Sequence, residues 1–256
     1  MMYFYFILLS FCSIGYGNFV NKILRIRNHC FGLNGLIGIS FLAIISFTTS
    51  IFVKHNFIFN FLVLIIGLIF FIFFLKNIKN FKKEIYFFSI TFLFLFIFIT
   101  VAKNHDDFPY YHFPYIHLLT EYPHPIGIGQ LNNGFRTPSS IFFISSLFHL
   151  PFIKYYLYHV LPALILGFSN LILLKFIISK ELFNKCNFLN LLSLITIIFI
   201  NIFFYRLAEH GTDRSGMVMT MVAIIYLFLL INIKKDESFE LLRENLKIFS
   251  IIIFFV

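Results

Sequence analysis

Seven stretches of mainly apolar residues recur along the chain, at 3–20, 33–53, 57–75, 85–102, 155–174, 188–205 and 216–232. A helix rises 1.5 Å per residue, so about 20 such residues cross the roughly 30 Å hydrocarbon core of a bilayer. Only 12% of the residues are charged while 60% are hydrophobic, about half the charge that a water-soluble domain carries. Water rejects such a surface. Lipid requires it, because each backbone polar group must be satisfied inside the protein. The expected fold is all-α, a polytopic transmembrane helical bundle. A further apolar run from Leu246 to Val256 is too short to span, so the C-terminus is expected to be truncated.

The formal charge of +9 would point to nucleic acid in a soluble protein. Here the cations sit in short runs between apolar stretches, which is the pattern of membrane orientation, and no nucleic-acid partner is expected. The three cysteines (Cys12, Cys30 and Cys186) form neither a metal motif nor a disulfide framework. Positive charges follow the first apolar run instead of preceding it, as expected of an uncleaved first span with its N-terminus outside.

One segment decides the sidedness of everything after it. Residues 138–153, PSSIFFISSLFHLPFI, begin with Thr137 as a helix N-cap and Pro138 at the first helical position, and Pro151 interrupts them. If the segment does not cross, 14 basic residues fall inside (22, 25, 27, 76, 79, 82, 83, 175, 180, 185, 234, 235, 243, 247) and six outside (54, 103, 136, 154, 206, 214). If it crosses, the tally is ten against ten. Only the first arrangement obeys the positive-inside rule. The loops 103–154 and 206–215 then share one extracytoplasmic face of a membrane, expected to be the bacterial inner membrane. The segment 109–122 reads as a second juxtamembrane helix, with Phe113, Ile116, Leu119 and Tyr122 at helical spacing and Pro109 and Pro114 making its start irregular.

These two loops hold the candidate chemistry. Asp106 and Asp107 directly follow a span, with Glu121, Arg136 and the histidines 105, 112, 117 and 124 beyond them. The second loop packs Arg206, Glu209, His210, Asp213 and Arg214 into nine positions. Ionisable groups at the edge of hydrocarbon are costly, and a functional site is the default reading. An aspartate there can serve as a general base or hold a divalent cation through oxygen; it can also simply cap the next helix. The same capping role is open to Asp213 and Thr212. Arginines can bind phosphate bidentately or snorkel to the headgroups. The histidines lack metal-ligand spacing, and His112 reads as a hydrogen-bonding residue near a substrate. Glycines 127, 129 and 134 belong to a tight, irregular loop, since no strand precedes them to make a nucleotide loop.

An acidic pair after a span, leading into an extracytoplasmic loop with two juxtamembrane helices, resembles the GT-C glycosyltransferases. Within them the chain looks like a group of bacterial polytopic proteins sharing a D-x-x-x-Y-H start (Asp107, Tyr111, His112), a P-x-G-x-G-x-L segment (Pro125, Gly127, Gly129, Leu131) and a later T-D motif (Thr212, Asp213). The resemblance covers 103–150 and 206–216. GT-C enzymes usually place the acidic loop after their first helix, so residues 1–84 are expected to form three added helices ahead of a GT-C-like core at 85–256. The resemblance implies transfer of a sugar from a polyprenyl-phosphate donor, a lipid-linked partner, to an extracytoplasmic acceptor. Asp106 or Asp107 would deprotonate the acceptor hydroxyl, and Asp213 would orient the site or, with Asp107, hold a divalent cation (Mg or Mn). Arg206 or Arg214 would neutralise the donor phosphate, with His112, Arg136, Glu209 and His210 as further substrate contacts. A flippase or transporter, a polymerase of lipid-linked glycans and a non-catalytic scaffold are the alternatives. A transporter would carry ionisable groups at mid-span, whereas here they cluster at helix ends. A reporter fused after Gly211 is expected to be active only outside the cytoplasm; cytoplasmic activity alone would overturn the sidedness.

Overall fold

The computed structural model describes residues 1–27, 30–75, 80–101, 106–178, 188–203, 212–232 and 239–255. Among them are ten α-helices: α1 (Met2–Leu24), α2 (Phe31–Ser50), α3 (Phe57–Phe74), α4 (Phe81–Val101), α5 (Phe113–Glu121), α6 (Ser140–Ser146), α7 (Leu161–Ile178), α8 (Phe188–Phe203), α9 (Thr212–Ile231) and α10 (Phe239–Phe255). The helices α1, α2, α3, α7 and α9 are long and apolar enough to cross a membrane. With 21 residues α4 also has the length, about 31 Å. Exposed Ile, Leu and Phe on α3, α4 and α8 form the outer surface expected against lipid.

At the centre lies α2, packed against α1, α6, α7 and α10. Its first half is buried almost without interruption, as is α7 from Leu161 to Leu173. Helix association inside lipid draws on van der Waals contact instead of water expulsion, so small residues let backbones approach. A Cβ added to Gly38 would fall 1.7 Å from the carbonyl oxygen of Ser13, and one on Gly17 1.8 Å from that of Asn34. Only hydrogen fits at these two positions. Polar side chains fasten the same seams. Asn21 donates to Asn34 Oδ1 at 2.7 Å and Asn34 to Asn18 Oδ1 at 2.6 Å, joining α1 to α2. Asn170 and Asn201 exchange two such bonds, at 3.0 and 2.8 Å, between α7 and α8.

The two ends of the bundle differ. At one end, Glu84 of α4 accepts a hydrogen bond from Phe31 N at the start of α2, and Lys247 of α10 donates to Leu24 O at the end of α1. The other end carries the long segment 106–160. Phe108–His112 forms a π-helical turn, closed by Phe113 N donating to Phe108 O five residues back. Pro109 and Pro114 lack an N–H and cannot continue regular α bonding here. α5 follows, then two short 3-10 turns (Ile128–Gln130 and Asn133–Phe135) around Gly127, and then α6.

α6 is too short to cross a membrane. Its seven residues reach about 10 Å. It starts two residues later than the sequence suggests, because Ser139 supplies the N-cap, its Oγ accepting from Ile141 N at 3.3 Å. Nor does it lie on a lipid surface. Every residue from Ile141 to Leu150 is buried, so its serines are tolerated because protein surrounds them. The buried face of α5 is also turned from the expected stripe. Tyr115, Ile116, Leu119 and Thr120 are buried, whereas Tyr122 is exposed, because α5 packs on α6 and on the α2–α3 turn.

That turn ties the loop to the bundle. His55 N donates to Leu119 O at 2.9 Å, and His124 N to Ser50 O at 2.7 Å. The His55 ring is fully buried between Thr49 Oγ1 at 3.0 Å and Ser146 Oγ at 2.6 Å. Both hydroxyls also reach a backbone carbonyl, Ser146 that of Phe143 and Thr49 that of Ile45, so in a neutral ring one of them accepts from a ring N–H and the other turns its proton to the bare ring nitrogen. Burial pushes the imidazole down to about 4, which agrees with this neutral ring. Asn60 Nδ2 completes the joint by donating to the carbonyls of His55 (2.7 Å), Ser146 (2.8 Å) and His149 (3.0 Å). Asn60→Leu keeps the volume and removes this donor from all three carbonyls, leaving Ser146 O only a 3.3 Å bond from His149 N. It is expected to cost about 3 kcal/mol or more, read as a lower Tm of the detergent-solubilised chain.

Candidate functional site

Where the segment 106–160 meets α8 and α9, a cavity of about 770 Å³ opens at the loop end of the bundle. Its rim is polar, formed by Tyr111, Thr137, Ser139 and Asp213 with the backbone of Gly134. The rest of its lining is mainly apolar: Phe142, Phe199 of α8, and Met217, Met221 and Ile224 of α9, with Gly216 and Thr220 among them. Asp213 and Ile224 are 11 positions apart on one helix, so the cavity descends about 16 Å from a carboxylate into apolar surroundings.

Tyr111 organises the rim. Its hydroxyl donates to Asp107 Oδ2 over a long 3.4 Å. Burial raises the phenol above its ordinary value, and the carboxylates of Asp107 and then Asp213 raise it further. Two acids that are 106 positions apart in sequence thus act on one hydroxyl, which stays protonated and able to donate. Asp107 holds the N-cap position of the π-helical turn but accepts no capping bond there. Asp213 sits in the first turn of α9, where the helix dipole favours its charge.

The other expected site residues fall in different places. Neither Asp106, which is exposed, nor Asp107 lines the cavity itself; Asp107 is linked to it through the Tyr111 hydroxyl. His112 is buried behind the wall, its ring 4.3 Å from that of Tyr111 and 4.9 Å from that of Phe142. Arg136 is exposed and donates from Nε to Gly129 O at 3.3 Å, which closes the glycine loop on itself. Arg214 is half-buried next to Asp213. Arg206, Glu209 and His210 lie outside the described residues, as does His105. The rim also includes Ser139, Thr137 and Gly134, which the sequence reading passed over. Tyr111 had a legible signal: four positions from Asp107, it shares a helical face with it.

Among the described residues no group of three or more His, Cys, Asp or Glu side chains could hold a metal. Two carboxylates are still a fitting donor set for Mg, which takes one or two carboxylates and completes its shell with water and substrate phosphate.

The protein-family model described as Domain of unknown function (DUF8201) matches residues 1–256. No curated protein and no solved structure matches the chain.

The seat of Tyr111 is testable. A Cβ on Gly134 would lie 2.5 Å from Cγ of the Tyr111 ring. Gly134→Ala is expected to cost about 1–3 kcal/mol in thermal or denaturant unfolding. In a Tyr111→Ala background the cost should fall below about 0.5 kcal/mol; equal costs in both backgrounds would show that the ring is not the obstacle.

Proposed function

The chain belongs to the DUF8201 family, and we propose that it is a membrane glycosyltransferase that moves a sugar from a polyprenyl-phosphate-type donor to an extracytoplasmic acceptor. One observation carries this reading. Tyr111, hydrogen-bonded to Asp107, and Asp213, from a separate element, line one cavity whose remaining lining is mainly apolar. An amphiphile suits such a shape, with a sugar phosphate at the rim and hydrocarbon along Phe199, Met217, Met221 and Ile224.

In this reading Asp107 accepts the proton of the acceptor hydroxyl, and Asp106 is the second candidate base. The Tyr111 hydroxyl orients Asp107. Asp213 holds the opposite side of the rim, and Arg214, with Arg206, balances the phosphate charge of the leaving carrier. A divalent cation on Asp107 and Asp213, Mg or Mn, would supply further neutralisation of that phosphate. The GT-C likeness, with an acidic start, a glycine loop and a T-D motif, supports the same roles by analogy.

We read the loop end as the outer face of a bacterial inner membrane, with the N-terminus outside. Support comes from the far end of the bundle, which carries Lys22, Arg25, Arg27, Lys82, Lys83, Lys175, Arg243 and Lys247. The loop end carries Lys54, Arg136, Lys154 and Arg214 among the described residues. Single Asp107→Asn and Asp213→Asn substitutions are expected to lower glycan product by about 100-fold or more with normal membrane insertion. Asp106→Asn tests the second base in the same assay. Product at the unsubstituted level in all three would sink the enzyme reading.

A further inference from the structure

A second recess lies at the end of the bundle opposite the acidic cavity. It has a volume of about 240 Å³ and is lined by Asn18, Asn21, Lys22, Arg25, Arg27 and Phe74. Its floor is the amide ladder between α1 and α2. Asn34 sits in the middle, and each outer asparagine uses one end of its amide on it. The buried Nδ2 of Asn18, in a residue only 3% exposed, is left with no partner, as is Oδ1 of Asn21. Reversing all three amides exchanges these roles without removing them. One buried N–H donor therefore remains at the recess in either orientation.

The mouth is cationic. Arg27 is paired with Glu240 at 3.0 Å and Glu244 at 3.8 Å, whereas Lys22 and Arg25 have no carboxylate partner among the described residues. Lys22 Nζ lies 5.3 Å from the centre of the Phe74 ring. Three of the four carbonyls that end α1 are already engaged. Arg25 N donates to Lys22 O, Ile26 N to Asn21 O, and Lys247 Nζ to Leu24 O, so the negative pole of the helix is already capped.

An unspent buried N–H under unpaired cations is the donor set of a phosphate site. We infer that this recess binds a phosphate group, with Asn18 or Asn21 donating from the floor and Lys22 and Arg25 closing over it. Its volume is below the roughly 300–1,000 Å³ of pockets for larger ligands, which selects a headgroup or free phosphate over a nucleotide. The site lies apart from the acidic cavity and does not rest on the glycosyltransferase reading.

The test uses the full chain in neutral detergent micelles, with bound species counted by native mass spectrometry. The probes are phosphatidylglycerol, phosphatidylcholine and inorganic phosphate, titrated separately. The expected result is one phosphatidylglycerol retained in preference to phosphatidylcholine, its Kd raised about tenfold or more by Lys22→Ala with Arg25→Ala. Those side chains are exposed, so this variant does not disturb the core; Asn18→Leu should weaken retention likewise. Lys82→Ala with Lys83→Ala, at exposed positions on the same end, should leave it unchanged. Saturable binding of inorganic phosphate without retained phosphatidylglycerol, lost in the Lys22/Arg25 variant, would make free phosphate the source. Retention unaffected by Lys22→Ala with Arg25→Ala, or lowered equally by the Lys82/Lys83 pair, would overturn the site in favour of diffuse surface charge.

Discussion

One amide nitrogen, that of Asn60, connects the membrane bundle to the segment that forms the cavity rim. Its two hydrogens are shared among carbonyls from the α2–α3 turn, from the end of α6 and from the chain just beyond it. At this depth such carbonyls have no water to turn to, and an unmet buried acceptor costs about 1–3 kcal/mol. The joint is rigid because its members depend on each other. His55 reaches Ser146, Ser146 reaches Phe143, and the turn pairs with the end of α5. α6 can then sit as a short, serine-containing helix inside protein.

The acidic cavity follows from that arrangement. With α6 held, Phe142 faces His112 and Tyr111, and the Tyr111 ring packs over Gly134. The phenol then reaches Asp107 and lines one cavity with Asp213 at the start of α9, where the dipole favours its charge. The cavity combines a charged rim with a mainly apolar wall from α8 and α9, the combination on which the proposed lipid-linked donor rests.

Among the described residues, buried serines such as Ser10, Ser13, Ser40 and Ser193 bond back to their own helix, whereas Asn18, Asn21, Asn34, Asn170 and Asn201 join one helix to another. The asparagine ladder holds α1 to α2, and a reciprocal pair holds α7 to α8. The ladder is open-ended, so one outer asparagine keeps an unmet N–H and the other an unmet carbonyl, and that surplus marks the recess at the far end.

Much of the fold was legible because hydrophobic length and charge asymmetry are properties of the chain itself. The runs 3–20, 33–53 and 57–75 became α1, α2 and α3 with ends shifted by a few residues. Counting lysines and arginines led to the expectation that 138–153 does not cross, and the helix formed there, α6, has seven residues. Pro109 and Pro114 announced the irregular start before α5 because a missing N–H is covalent fact. What the sequence could not determine is which residues meet across the fold. The stripe read on 109–122 assumed lipid on one side, and protein there turned the buried face toward Tyr115 and Thr120. His55, Asn60 and Ser146 carry no local signal, since their partners are set by packing and not by spacing. The two polar loops were visible as charge in an uncharged chain; that Asp107 and Asp213 act on one tyrosine, while Asp106 stays at the surface and His112 lies behind the wall, was decided by tertiary structure, because convergence of distant segments depends on how the helices between them pack.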